Sequence, residues 1–310
     1  MPMETPPQFT KAFKFSEITI SDMTKVLASM KPTTCTENIL PPKIILDNND
    51  IFTPILTKII NASFRDRKVP NAIKGVTVTL LVKKPNLYQR DPNNLRPITN
   101  LNFVLKIMDT IDTRQPQASV ESTNSLHPQQ SGRRPAHSTE AAMLDLQTKM
   151  LSIIDKGKTG LLILLDLIAT FNLLDHNLLQ TALTMTANCS DEAIGWVMSF
   201  LKNRISRVHW GDKFSLEKDI LILCGVLQGA SMSPLLCTLY LRYLCRVLDH
   251  INPFFTNYAD DTQQVFELSG DSDQLTMIYN NFEHWMDSNW MCLNGKKKRT
   301  PGIWLSSCQS

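Results

Sequence analysis

The sequence predicts an α+β fold, an antiparallel sheet backed by helices, on three observations. Val76-Thr77-Val78-Thr79-Leu80-Leu81-Val82 alternates and is rich in β-branched residues, as a half-buried strand is. Leu161-Leu162-Ile163-Leu164-Leu165 is an unbroken apolar run of strand length that ends at Asp166. Two more strand-like stretches, Phe254-Phe255 and Val265-Phe266 with Leu268, flank the tight turn Tyr258-Ala259-Asp260-Asp261. Between these strands, apolar residues recur at helical spacing.

Residues 1–20 contain prolines and little pattern and read as an arm. Ser21 is placed to cap a helix whose apolar face is Met23, Val26, Leu27 and Met30, and Lys31-Pro32 ends it. A second helix is expected from about 51 to 64, with Ile55, Ile59 and Ile60 inward. The strand over 76–82 delivers Lys83-Lys84-Pro85 at its end. Asp91-Pro92-Asn93-Asn94 reads as a turn, and Arg96-Pro97-Ile98 as extended or turn backbone. The polar stretch 112–130 contains Pro116 and Pro128 and is expected to be loop with at most short helix.

Ser138 is placed to cap a helix with Ala142, Met143, Leu146, Met150, Ile153 and Ile154 on one face. The strand over 161–165 is expected to be covered on both faces. Helices are expected over 175–187 and 191–202, and short strands over 205–210 and 218–223. Gly225-Val226-Leu227-Gln228-Gly229 is a turn into a helix with Pro234 in its first turns. After the acidic hairpin, 273–289 reads as helix and 290–293 as strand, followed by a basic run.

Composition narrows the function. A chain of 310 residues with 43% hydrophobic and 20% charged residues builds a core, in one large domain or two interleaved ones, which excludes a disordered chain. The net charge of +3 is too small to argue nucleic-acid binding alone. Its distribution says more: Arg65, Arg67, Lys68, Lys74, Lys83, Lys84, Arg90, Arg96 and Lys106 have only Asp66 and Asp91 set against them. This stretch is a local basic surface of the kind phosphates are drawn to, or simply a solvated face. Seven cysteines without a Cys-x-x-Cys pair or zinc spacing read as reduced thiols of an intracellular protein. There is no apolar signal core, and the most apolar run, 161–174, is too short to span a bilayer. The expectation is therefore neither secretion nor membrane insertion.

Two adjacent carboxylates at a tight turn repel each other, and a divalent cation is the obvious partner; a solvated turn is the plain alternative. Oxygen-only ligands suit Mg²⁺ or Mn²⁺. Asp166, at the end of a buried strand, is the candidate third carboxylate if the hairpin pairs alongside it, its alternative role being a helix N-cap. Three such carboxylates hold two ions roughly 4 Å apart, for phosphoryl or nucleotidyl transfer. Spacing alone leaves polymerase and nuclease open.

Ordered motifs go further. They begin with Met30-Lys31-Pro32-Thr33-Thr34, Val69-Pro70-Asn71-Ala72-Ile73-Lys74, Lys83-Lys84-Pro85 and Leu95-Arg96-Pro97-Ile98-Thr99-Asn100-Leu101. Gln130-Ser131-Gly132, His137-Ser138-Thr139-Glu140, Leu165-Asp166-Leu167 and Asp175-His176 follow. Gly225-Val226 with Gln228-Gly229, Pro234-Leu235-Leu236, Tyr258-Ala259-Asp260-Asp261-Thr262-Gln263 and Trp285-Met286 with Leu293-Asn294 complete the series. Over about residues 15–297 the chain thus resembles the reverse transcriptase domain of non-LTR (LINE-type, jockey-like) retrotransposons.

The resemblance implies a right-hand polymerase fold, with a helical N-terminal extension over 1–65, fingers over 66–157 and a palm over 158–310. It implies Asp166, the carbonyl of Leu167, Asp260 and, more weakly, Asp261 as ligands of two Mg²⁺ ions, or of Mn²⁺. Phe171 would stack beneath the incoming sugar and exclude a 2′-hydroxyl. Lys84, with Lys83 as its alternative, and Arg96 would grip the triphosphate. Gln228-Gly229 would lie against the templating pair, Tyr258 near the primer end, and Lys297 would protonate the departing pyrophosphate, though Lys296 and Lys298 also make it suit a solvated tail. The implied partners are an RNA template, a DNA primer and deoxynucleoside triphosphates, in nucleus and cytoplasm.

The chain also departs from the family. Asn172 stands where Asp is usual after Phe171, Leu227 replaces a turn proline, Ser233 a glycine and Arg133 an aromatic, and Pro116 falls where a helix continues. No thumb or endonuclease is recognisable, so the expectation is a fingers-and-palm fragment of an RNA-directed DNA polymerase. Its alternative is an inactive remnant that at most binds nucleic acid.

Overall fold

The computed structural model describes residues 11–33, 35–88, 91–123, 125–132, 134, 137–167, 170–210, 213–214, 218–220, 224–251, 254–258, 261–268 and 272–291. Two compact units emerge, each discontinuous in sequence. One takes the chain up to Ser119 and then Leu183–Ser233; the other takes Val120–Ala182 and the chain from Pro234 onward.

The first unit contains α1 (Ile20–Ser29), α2 (Pro42–Asp47), α3 (Asn49–Arg65), β1 (Val76–Val82), β2 (Leu95–Leu101) and most of α4 (Phe103–Ser122). Strand β1 has the bounds its alternation predicts. It pairs antiparallel with β2 from Val76 opposite Leu101 to Val82 opposite Leu95.

In the second unit lie α5 (Thr139–Asp155), β3 (Thr159–Asp166), the short α6 (Thr170–Leu173) and most of α7 (His176–Met185). The chain then returns to the first unit for α8 (Asp191–Leu201), β4 (Arg204–Trp210), β5 (Lys213–Phe214) and β6 (Lys218–Ile220). Strand β4 pairs parallel to the free side of β1, and β5 and β6 pair with β4. The second unit closes with α9 (Ser233–Ile251), β7 (Phe254–Tyr258), β8 (Asp261–Leu268) and α10 (Ser272–Ser288). Its sheet has the order β3-β8-β7, antiparallel throughout. Helix α5 covers it, with Leu146 and Ile153 buried against Val265.

The first unit is centred on Trp196, whose ring lies 5.0 Å from Phe15, 5.8 Å from Phe64 and 5.7 Å from Phe200. Its indole N–H donates to Ser63 Oγ at 2.8 Å, satisfying the one polar atom that burial of a Trp leaves over. The later part of the supposed arm is therefore structural. Phe13 exchanges backbone hydrogen bonds with Asn188 and Ser190, and Asn61 holds both backbone groups of Ile18.

Several expectations are corrected. Helix α1 is capped by Thr19, not Ser21: Thr19 and Asp22 form a reciprocal capping box. In α3, Ile60 is buried but Ile55 and Ile59 are exposed, while Thr53 and Thr57 face inward. Their hydroxyls donate to carbonyls one turn back, so burial leaves them satisfied. Residues 112–122 are helix, not loop: Phe103, Leu105, Ile107, Met108, Ile111 and Val120 are buried, and that packing carries α4 through Pro116. Met143 is exposed, off the buried face of α5. Strand β3 is not covered on both faces: Leu164 is 54% exposed, and β8 is its one strand neighbour among the described residues. Trp290 is not in a strand but has a left-handed backbone, φ 56°, and 292–293 lie outside the described residues.

Candidate active site

The site begins with the register of the second unit's sheet. Strand β8 starts at Asp261, opposite Tyr258 on β7 and opposite Asp166 on β3. Tyr258, Asp261 and Asp166 thus form one row across three strands, at the end where β3 stops and the hairpin turns. Asp260, the Asp166 side chain and Lys297 lie outside the described residues. Opposed positions in an antiparallel pair bring Cβ atoms to about 4.5–5.5 Å, where like charges destabilise the pair. Two acidic positions so opposed, with a third acid next in sequence, fit a hard divalent cation bound through oxygens.

Sequence reasoning missed what buttresses this hairpin. Asn257, one residue before Tyr258, is fully buried. Its N–H donates to Gln129 O at 3.0 Å, and its carbonyl accepts from Ser131 N at 2.8 Å and Gly132 N at 3.3 Å. Its side-chain amide donates to Cys245 Sγ at 2.9 Å. Gln130 thus makes an isolated parallel bridge to β7 at Asn257. A buried Asn at the end of an apolar strand was the available signal.

Leu167, next along the chain from Asp166, is buried, and Phe171, on α6, is half-buried. Asp175 is structural: its carboxylate accepts from the N–H groups of Asn177 at 2.8 Å and Leu178 at 2.9 Å, at the start of α7. Tyr258 is partly exposed at the end of the row.

The first unit collects a different set. Lys83 and Lys84 are exposed in the turn after β1, where Lys83 N donates to Asn94 O at 2.8 Å. Arg96 is exposed on β2, opposite Leu81. Three residues further along β2, Thr99 N donates to Gln228 O at 2.6 Å. Gly229 has φ +126°, and a Cβ there would sit 2.5 Å from Thr99 O. Only glycine permits that approach. Arg96 and Gln228-Gly229, 132 positions apart in the chain, are thus held to one strand.

Not all of the basic stretch is surface. Lys74 is 3% exposed, with its ammonium against Ser199 Oγ at 3.4 Å and Lys202 O at 3.3 Å; burial pushes its pKa down to about 8. Arg67 pairs with Glu192 at 3.2 Å. A second missed residue is Asp109 on α4, 1% exposed, which accepts from Ser231 N at 2.6 Å and Met232 N at 3.1 Å.

The sequence profile of the family described as "Reverse transcriptase (RNA-dependent DNA polymerase)" matches residues 82–300. The chain belongs to the reverse transcriptase family. It is similar to the "Probable RNA-directed DNA polymerase from transposon X-element" of Drosophila melanogaster, 22% identical over 265 residues. That match covers 81% of this chain and 29% of the relative. It is also similar to the "Retrovirus-related Pol polyprotein from type-1 retrotransposable element R2" of Popillia japonica, 27% identical over 168 residues, covering 54% and 22%. The chain spans less than a third of the length of these relatives.

Among solved structures, apo telomerase from Candida tropicalis, truncated from its C-terminal domain, matches with a TM-score of 0.52 at 15% identity. This covers 79% of this chain and 54% of that one, and the likeness is one of fold. The non-LTR resemblance and the α+β polymerase fold read from the sequence therefore hold. Reverse transcriptases generally use divalent metals, with nucleic-acid templates and nucleotide substrates. No described helix is long and apolar enough to cross a membrane.

Proposed function

We propose that this chain carries the nucleotidyl-transfer centre of a LINE-type RNA-directed DNA polymerase. It would add deoxynucleotides to the 3′-hydroxyl of a DNA primer along an RNA template. The observation that carries the reading is the row Tyr258–Asp261–Asp166, with Asp260 next in sequence.

Asp166, Asp260 and Asp261, with the carbonyl of Leu167, are the residues that would hold two Mg²⁺ or Mn²⁺ ions. When bound, such ions activate the attacking hydroxyl and neutralise charge on the departing pyrophosphate. Phe171 selects sugars lacking a 2′-hydroxyl by steric exclusion. Lys84, or Lys83, and Arg96 hold the triphosphate, Arg96 through its forked donors. Gln228-Gly229 supports the templating pair with backbone, since glycine allows close approach. Tyr258 packs near the primer end, and Lys297 gives a proton to the leaving group. In this reading 66–157 are the fingers and 158–310 the palm, behind an extension over 1–65; the segment 183–233 folds with the first unit.

Primer extension on an RNA template with Mg²⁺ or Mn²⁺ tests this, beside Asp260→Asn. The expected outcome is extension by the wild type that falls to background in the variant. Equal background from both, with nucleic-acid binding retained, would establish instead an inactive binding remnant. Asn172 and Leu227, where the family has Asp and Pro, are what favour that second reading.

A further inference from the structure

We propose that Asp109 is a positioning residue for the nucleotide-binding turn, its carboxylate clamping the backbone of Ser231 and Met232 so that Gln228-Gly229 is held at a fixed place against β2. The functional half of this proposal rests on the polymerase reading; the clamp itself does not.

The geometry is that of a two-point mount. At one end of the turn, Thr99 N on β2 donates to Gln228 O at 2.6 Å, and Gly229 closes to within a Cβ's width of Thr99. At the other end, Asp109 Oδ2 accepts from Ser231 N at 2.6 Å and Asp109 Oδ1 from Met232 N at 3.1 Å. Both mounts belong to one continuous piece of chain, because α4 starts two residues after β2 ends. Asn102, between them, is itself buried and fixed: its Oδ1 accepts from Val104 N at 3.0 Å. The distance between the mounts is therefore set by rigid elements, and the turn spans it.

The residue type follows from the task. Two N–H groups aimed at one place need an acceptor with two oxygens, and ionised acceptors make the stronger bonds. Asn offers one oxygen and a donor where a donor already points. Burying the carboxylate is costly and raises its pKa above the ordinary value; the two N–H bonds and the nearby buried guanidinium of Arg204 offset part of that cost. The turn also has particular need of an external mount. None of residues 225–231 is a proline, so the turn has no ring-locked φ of its own to stiffen it.

The test uses the full chain with Asp109→Asn, and Asp112→Asn as control. Asp112 lies one turn along α4 with neither carboxyl oxygen hydrogen-bonded among the described residues, so it reports burial of a carboxyl without the clamp. Hydrogen exchange of the Ser231 and Met232 amides is expected to quicken at least about tenfold in Asp109→Asn and not in Asp112→Asn. In primer extension, Asp109→Asn is expected to raise KM for the templated nucleotide several-fold with kcat little changed, and to raise misincorporation.

Unchanged exchange overturns the clamp. Faster exchange with unaltered KM and fidelity overturns the positioning role, as does a uniform fall in kcat that tracks lost stability. If Asp109→Asn does not fold, Ser231→Pro deletes one donor from an exposed residue and is expected to give the same KM shift and faster exchange at Met232; no change in either counts against the clamp. A wild type that extends no primer refutes the polymerase reading, and the exchange comparison still decides the clamp.

Discussion

Two carboxylates one turn apart on α4 have opposite situations. Asp109 is satisfied by two N–H groups, whereas Asp112 is fully buried and neither of its oxygens has a hydrogen-bond partner among the described residues. Burial first, and the charge of Asp109 second, raise the Asp112 pKa well above the ordinary carboxylate value. The folded state then keeps a proton that the unfolded state releases. Stability from this site is complete below the ordinary carboxylate pKa and is lost as pH rises toward the raised one. Asp112→Asn exchanges a neutral buried carboxyl for a neutral buried amide, so near pH 4 it is expected to change the thermal midpoint little. By pH 8 it is expected to raise the midpoint by a few degrees. Melts from pH 4 to 8 check this, and a gap that does not widen with pH would refute it. At this scale, legibility in the sequence depended on where the partner lies. Asp166 and Asp261 were pairable because both sit at strand ends. Asp109 and Asn257 were not, because what they bind is backbone remote in sequence, 122 positions away for Asp109 and Ser231.

Elements were readable where local chemistry decides them. Strand β1 follows from alternation, and α5 from Ser138, whose Oγ accepts from Ala141 N at 3.1 Å. They were unreadable where tertiary packing overrides a local signal. Pro116 and polar neighbours argue against a helix that buried Leu105, Ile107, Met108 and Ile111 impose. The inward threonines of α3 similarly outvote its isoleucines. The turn over 225–229 lies between these cases. Its glycines were visible, but the reason for Gly229 is the approach of β2, which only the fold supplies. Gly229→Ala must either move Thr99 or leave φ +126°, so it is expected to cost roughly 1–3 kcal/mol. Urea denaturation measures that loss; a variant as stable as the wild type would mean that the turn does not hold this conformation.

At the scale of the molecule, the two units interleave along the chain, which a reading by contiguous stretches does not convey. The β-sheet of the first unit is assembled from chain on both sides of residues 120–182: β1 has Val76 beside Ser206 and Thr79 beside His209 on β4. Its core also depends on α8, since Trp196 is what Phe15, Phe64 and Phe200 pack around. A polypeptide ending at residue 182 would keep α1 to α4 and the β1–β2 hairpin. It would lack Trp196 and leave one side of β1 unpaired. Deleting a buried Trp side chain alone costs about 3–5 kcal/mol, against a total stability of about 5–15 kcal/mol for a domain. An open, apolar strand edge adds a template for aggregation. Residues 1–182 are therefore expected to lack a cooperative thermal transition and to elute as aggregates. Circular dichroism melts and size-exclusion chromatography decide it. A monomeric 1–182 that unfolds cooperatively would mean that the first unit does not need its second segment, and that β4 and α8 are accessories to a core complete without them.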